Sequence, residues 1–335
     1  MLLSDYKKLD IAMHLNHIWV KEVPCVKPAQ KAGFFMLFMK RWYYISLFFL
    51  LLSCEREVII APNDVQAKLV VEGEIMTGLP PRIILTQSQG FFTTLDPARI
   101  QGQFVRDARV TIIHNNQRTN LRLFEERTPA GFTFYYYAPD TSVFPILRGI
   151  RGQSYQLEID WQGQVYRAVT TIPNSQKRID SLWWIEPPRG VPASKAVMIG
   201  KITDPPGFGD YIRYFIRRNR EPFLPGENSV FDDRIVDGRT YEVQIDPGVN
   251  RNLPPATTEE ERLRNNFFSK GDTITVQFMN IDRSTFNFWN TWEFNIRSVG
   301  NPFSQPGVVI GNISNGALGT FSGYHPSFHT LIIPK

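Results

Sequence analysis

The residues of this chain whose types invite chemistry are few. Three histidines, His114, His325 and His329, fall in its later part. His325 and His329 have i, i+4 spacing, which sets two metal ligands on one face only if the segment is helical. Pro326 and the strand-like neighbours argue against a helix, and no Glu follows His325 as in the H-E-x-x-H arrangement. Asp232, Asp233 and Asp237, followed by Gly238, look like a weak cation loop. A calcium loop needs oxygen ligands at alternate positions and a bidentate Glu at the twelfth. Val236 breaks that spacing, so a solvated turn is the plainer reading and no metal is expected. The chain has no G-x-S-x-G elbow, no P-loop and no dinucleotide fingerprint. No catalytic residue is assigned, and the expectation is that the protein is not an enzyme.

Aromatic side chains are the other candidates. Trp161, Trp183, Trp184, Trp289 and Trp292 offer rings that stack on sugars, although core packing is the usual fate of aromatics at sheet or helix spacing. Trp183 and Trp184 differ from the rest because neighbours on a strand point to opposite faces. One of the two is expected to face a glycan or peptide ligand.

The cysteines carry a different message. Cys54 ends a stretch in which Lys40 and Arg41 precede an apolar run from Trp42 to Leu52, then Ser53. A positive start, an apolar core of about 7–15 residues and a small residue before the cut make an export signal. The run falls short of the roughly 20 residues that span a bilayer. Leu51-Leu52-Ser53-Cys54 resembles the bacterial lipoprotein box. That resemblance implies cleavage between Ser53 and Cys54 and a covalent lipid on the Cys54 sulfur, with no other cofactor. Each buried methylene contributes about 0.8 kcal/mol, and two or more chains anchor stably. The other cysteine, Cys25, lies upstream, so residues 54–335 hold no second thiol for a disulfide or a zinc site. Residues 1–38 read as an upstream extension, either from a start codon placed too early or as an extended cytoplasmic end of a long signal, and 39–53 as the signal.

The net charge of +5 suggests nucleic acid until its distribution is examined. The first 53 residues hold seven Lys/Arg and three Asp/Glu, so the remainder carries 30 basic and 29 acidic residues. Nucleic acid is therefore not an expected partner.

The remaining stretch is predicted to be mainly all-β, as two β-sandwich-like domains behind a tether at 54–66. Alternating, β-branched runs at Ala67–Met76, Arg82–Gln87, Arg109–His114, Thr119–Phe124, Phe132–Tyr137, Ser154–Asp160 and Gln164–Thr171 give about seven strands. That is the size of an immunoglobulin-like or transthyretin-like sandwich over 67–173. Asn115-Asn116 and Trp161-Gln162-Gly163 mark hairpins. A second β-rich domain is expected over 179–335, with strands including Lys195–Thr203, Tyr211–Arg218, Tyr241–Ile245 and Thr273–Met279. Gly319–His325 and Phe328–Ile333 read as two late strands. Residues 283–299 lack proline and glycine and place Phe288, Trp292, Ile296 and Val299 at helical spacing. They are predicted to form one helix, capped by Asp282 or Ser284.

These stretches together resemble the domain of unknown function 4249 family. AKLVVEGEI, PPRIILTQS and VRDARVTIIHN look like its front, and SVFDDRIVDGRTYEV resembles its acidic loop ahead of a strand. FNFWNTWE and GNISNGALGTFSGYH resemble its close, with Asn315-Gly316-Ala317-Leu318 where a Gly-Gly-Leu-Gly-like turn is commoner. The resemblance covers Cys54 to Lys335. It implies an exported lipoprotein of the Bacteroidota cell envelope, held to the outer membrane through its lipid and encoded beside TonB-dependent receptors. An accessory or ligand-binding subunit of such a receptor is the first functional expectation. A stand-alone surface protein for glycan or peptide is the second, and an envelope hydrolase the third.

Overall fold

A computed structural model describes residues 67–89, 97–128, 131–251, 253, 256–298 and 307–335. The signal, Ser53, Cys54 and the tether lie outside the described residues. Sixteen strands and three helices are present among those described, and the fold is all-β in the main, as the sequence predicts.

The organising element is an eight-stranded sheet. Its strands are, in spatial order, β12 (Leu224–Phe231), β11 (Tyr211–Arg218), β15 (Thr273–Ile281), β16 (Leu318–Ile332), β1 (Leu69–Met76), β2 (Arg82–Gln87), β6 (Thr133–Ala138) and β5 (Arg122–Arg127). Two smaller sheets cover one face. The first holds β4 (Gln117–Asn120), β3 (Arg109–His114), β7 (Ser154–Trp161) and β8 (Gln164–Thr171). The second holds β13 (Thr240–Ile245), β10 (Lys195–Thr203), β14 (Phe268–Ser269) and β9 (Arg178–Ile185). Two short helices, α1 (Pro97–Gly102) and α2 (Glu259–Asn266), lie in connections, and α3 (Arg283–Ser298) covers the opposite face of the large sheet.

Side-chain alternation explains the layers. On β1, Leu69, Val71 and Ile75 point into a first core with Ile112, Leu157 and Ile159. On β15, Ile274, Val276 and Phe278 point into a second core with Met198 and Ile245. Met279 and Ile281 fall out of that phase and meet Phe286 and Trp289 of α3 on the other face. Arg213, buried there, lays its guanidinium 3.4 Å from the Trp289 ring centre. Glu293 of α3 accepts from the Ser229 backbone N–H and hydroxyl and from Arg251, so this buried carboxylate is paired.

The first core draws mainly on residues before 173 and the second on residues from 179 onward, but Phe321, Ile313 and Ala317 enter the first from the far end of the chain, and one sheet backs both. The last strand makes the join. From Leu318 to Tyr324, β16 pairs parallel with β1; from Tyr324 to Ile332 it pairs antiparallel with β15. The two predicted late strands are thus one. Thr77 N–H bonds to the Tyr324 carbonyl, so residues 324 and 326 turn their backbone toward the β1 flank, where β1 has ended. Pro326 therefore removes no ladder bond.

The turn signals act as read. Asn115 and Asn116 both take positive φ (48° and 61°), the hairpin geometry that twists with the strands, and Gln162 and Gly163 do the same. The predicted strand Thr119–Phe124 is a correction. It breaks at Leu121, whose buried side chain ends β4, and β5 crosses to the large sheet. One long run cannot serve two sheets without such a bend.

Gly319 is held at φ +97°, and a Cβ there would lie 1.9 Å from the Val71 carbonyl oxygen. Gly319→Ala is expected to destabilise the chain by about 3 kcal/mol or more, from backbone strain and lost parallel pairing. Urea unfolding followed by tryptophan fluorescence checks this.

Candidate functional site

Three connections converge at the waist between the two cores. One is the linker 174–177. The second is the loop Asp204–Asp210, which joins β10 to β11 with two prolines and two glycines, Gly207 and Gly209, at positive φ. The third is the loop 232–239 between β12 and β13.

Carboxylates lace the loops together. Asp233 Oδ2 accepts from the N–H groups of Gly209 (2.7 Å) and Asp210 (2.9 Å). Asp237 accepts from Gly207 N–H (2.6 Å), and Asp204 Oδ2 from Gly238 N–H (3.1 Å). Lys177, fully buried, brings its Nζ to 2.8 Å from Asp204 Oδ1, an ionic contact rather than a well-aligned hydrogen bond. The same ammonium lies 3.4 Å from the Asp210 carbonyl, and Asn280 on β15 donates to the Lys177 carbonyl. The hub is thus tied to the large sheet.

Asp204, Asp210 and Asp233 each offer an oxygen within 4.8 Å of the others. Three carboxylates so close favour a cation, and the Lys177 ammonium supplies one. Burial, then the charges of Asp204 and Asp233, push the Asp210 carboxyl above the ordinary aspartate range, against the pull of the Ser175 hydrogen bond and Lys177.

An open cleft of about 470 Å³ adjoins the hub. Phe208, Gly209 and Tyr211 line it from the loop side, and Pro173 from the linker. Ile281, Asp282 and Arg283 line it where β15 turns into α3. Asp282 caps that helix: Oδ1 accepts from Thr285 N–H (2.8 Å) and the Ser284 hydroxyl, and Oδ2 from the Thr170 hydroxyl and Thr171 N–H. One side chain thereby fixes the start of α3 to the end of β8.

The domain of unknown function 4249 (DUF4249) family matches residues 55–328. The chain belongs to this family. A search of curated proteins finds no relative at a significant level. The match takes in all three sheets, the hub and the cleft, so this architecture is what the DUF4249 region of the chain builds.

Within it the sequence-predicted residues scatter. Asp233 is buried in the hub, but Asp232 pairs with the exposed Arg234 and Asp237 holds a loop amide, so the three do not form one cation loop. Asp233 clusters instead with Asp204 and Asp210, both missed by sequence reading, as was Lys177. The available signal was the Asp at each end of a Pro- and Gly-rich turn; nothing local marks a lysine 27 residues earlier as their partner. Trp184 packs on the second core beneath Lys270, while Trp183, on the opposite face of β9, is half-buried. Both lie five or six residues along β9 from the waist, away from the hub. His325 bonds Thr77 and His329 bonds Ser327 on the extended β16, and His114 stacks on Tyr155. On a strand the four-residue spacing separates His325 from His329 by about 13 Å, too far for one metal ion. Cys54 and Ser53 lie outside the described residues.

Two outcomes follow from the hub. Lys177→Met leaves buried carboxylates without their cation, and a loss of about 3–5 kcal/mol is expected in chemical denaturation. Asp210 has a folded pKa above its unfolded one, so the stability it contributes is full below about 3.8 and is lost as pH rises through the folded value. Asp210→Asn should therefore raise the melting temperature at pH 7, with the gain shrinking as pH falls toward 3.8. Thermal melts of both proteins across that range test the sign.

Proposed function

We propose that this DUF4249 protein is a non-enzymatic lipoprotein of the outer membrane that works as an accessory or ligand-binding subunit of a TonB-dependent uptake receptor. The observation that carries the reading is the stapled loop pair at the waist. Two loops tied to each other and to a buried ammonium present Phe208 and Ile235 to solvent, 76% and 85% exposed. Apolar side chains on surface loops that a scaffold holds still are the usual anchors of a protein contact, because little entropy is lost when they dock. The anchoring half of the reading rests on Leu51-Leu52-Ser53-Cys54, directly ahead of the family region. A lipid there confines the protein to the membrane plane, where a barrel receptor would also lie.

A second reading, a stand-alone surface protein for glycan or peptide, draws on Trp183. Its ring stands on the side of β9 away from the core, beside Ile199 and the 45%-exposed Ile185.

Affinity purification from gently solubilised membranes decides between them. The first reading predicts co-purification with a barrel receptor, and at least about tenfold weaker recovery with Ile235→Asp, a change of about 1.4 kcal/mol, while the melting temperature stays put. Recovery of a free monomer from wild type contradicts it. Cys54→Ser is expected to abolish palmitate labelling and to release the protein from the membrane fraction.

A further inference from the structure

The waist cleft has a charge that nothing around it uses. Arg283 sits at the first position of α3, exposed, and forms no ion pair among the described residues. The first turn of α3 holds no acidic residue, so a cation stands where the helix field already favours an anion. The adjacent carboxylate keeps its charge but makes no direct hydrogen bond or ion pair with Arg283 among the described residues, so the guanidinium's N–H fork is not taken up by it. Asp282 accepts four hydrogen bonds, two at each oxygen, from Thr170, Thr171, Ser284 and Thr285. Both of its oxygens are committed to the protein, and none of those bonds comes from Arg283.

The other walls are mixed: Thr171 and Asp282 are polar, and Pro173, Phe208, Tyr211 and Ile281 supply apolar surface. Phe208 is largely exposed, and Tyr211 is fixed by stacking on Phe286, ring centres 4.9 Å apart. Pro173 and Ile281 complete the floor. A volume of about 470 Å³ falls within the range of small-ligand sites, which pair apolar walls with few polar groups. A single guanidinium in a cleft with apolar surface at Pro173, Phe208 and Ile281 matches a planar, two-oxygen group more closely than a tetrahedral one, since its fork donates two parallel N–H bonds.

We infer that this cleft binds a carboxylate carried on an apolar body, as at the C-terminus of a short apolar peptide, with Arg283 setting the preference for the charge. The inference deepens the ligand-binding arm of the function proposed above by naming the ligand class. Its test needs no receptor, so the two fail separately.

Calorimetric titration of the full, detergent-solubilised protein with N-acetyl-leucyl-phenylalanine and with its C-terminal amide is the experiment. The acid is expected to bind at least about tenfold more tightly than the amide, the gain of one charge-assisted pair. Arg283→Gln should abolish that preference without moving the melting temperature, and Arg283→Lys should keep part of it. Phe208→Ala should weaken acid and amide alike. Equal binding of the two peptides, no heat from either at millimolar concentration, or a preference that survives Arg283→Gln would each overturn the assignment. Tighter binding of phenyl phosphate than of the acid would overturn the choice of carboxylate.

Discussion

The structure depends on the parallel pairing of β16 with β1, the last described strand against the first. It brings together residues some 250 positions apart, Val70 with Leu318 through Met76 with Tyr324. Without it, β12, β11, β15 and β16 would form one sheet and β1, β2, β6 and β5 another, each with an open edge. With it, one sheet backs both cores. Gly319 permits the approach, and the first core is closed by Phe321, a residue from the far end of the chain.

The waist follows from that join. The first half of the large sheet ends at Met76 and the second begins at Tyr211 and Ile281, all level with Tyr324. Connections leaving these ends meet in one place. Loops of this length would be mobile if left to solvent, yet these bury Asp204 and Asp233 and half-bury Asp210. Burying charge is unfavourable unless it is paired, and Lys177 with the loop amides does the pairing. The same electrostatics that would penalise an unpartnered acidic loop makes a partnered one rigid. In the function we propose, that rigidity is what would make Phe208 and Ile235 effective anchors.

Much of this fold was legible in the sequence, and the pattern of what was not is physical. Strands and hairpins are local, so β-branched alternation, Asn115-Asn116 and Gln162-Gly163 announced them. The helix was legible because its aromatic stripe is long, and of the two caps the sequence offers, Asp282 and Ser284, it is Asp282 that accepts from Thr285 N–H. What failed was long-range or two-sided. Nothing local marks Leu121 as the point where one run leaves one sheet for another, and Pro326 read as a break because the absence of a neighbour on its N–H side is a tertiary fact. Trp184 and Trp183 were correctly expected to part, since that is strand geometry. The acidic loop was legible only in part: Asp232, Asp233 and Asp237 read together, but the neighbours of Asp233 in space, Asp204, Asp210 and Lys177, come from other connections.

The central claim is that the loop pair at the waist is as rigid as the sheet that carries it. Native-state hydrogen exchange at the amides of Gly207, Gly209, Asp210 and Gly238, measured against those of β15 and β16, tests it most directly. The account predicts slow exchange at these four amides, with opening free energies close to those of the core strands. Exchange within seconds, at the rate of an exposed loop, would contradict it.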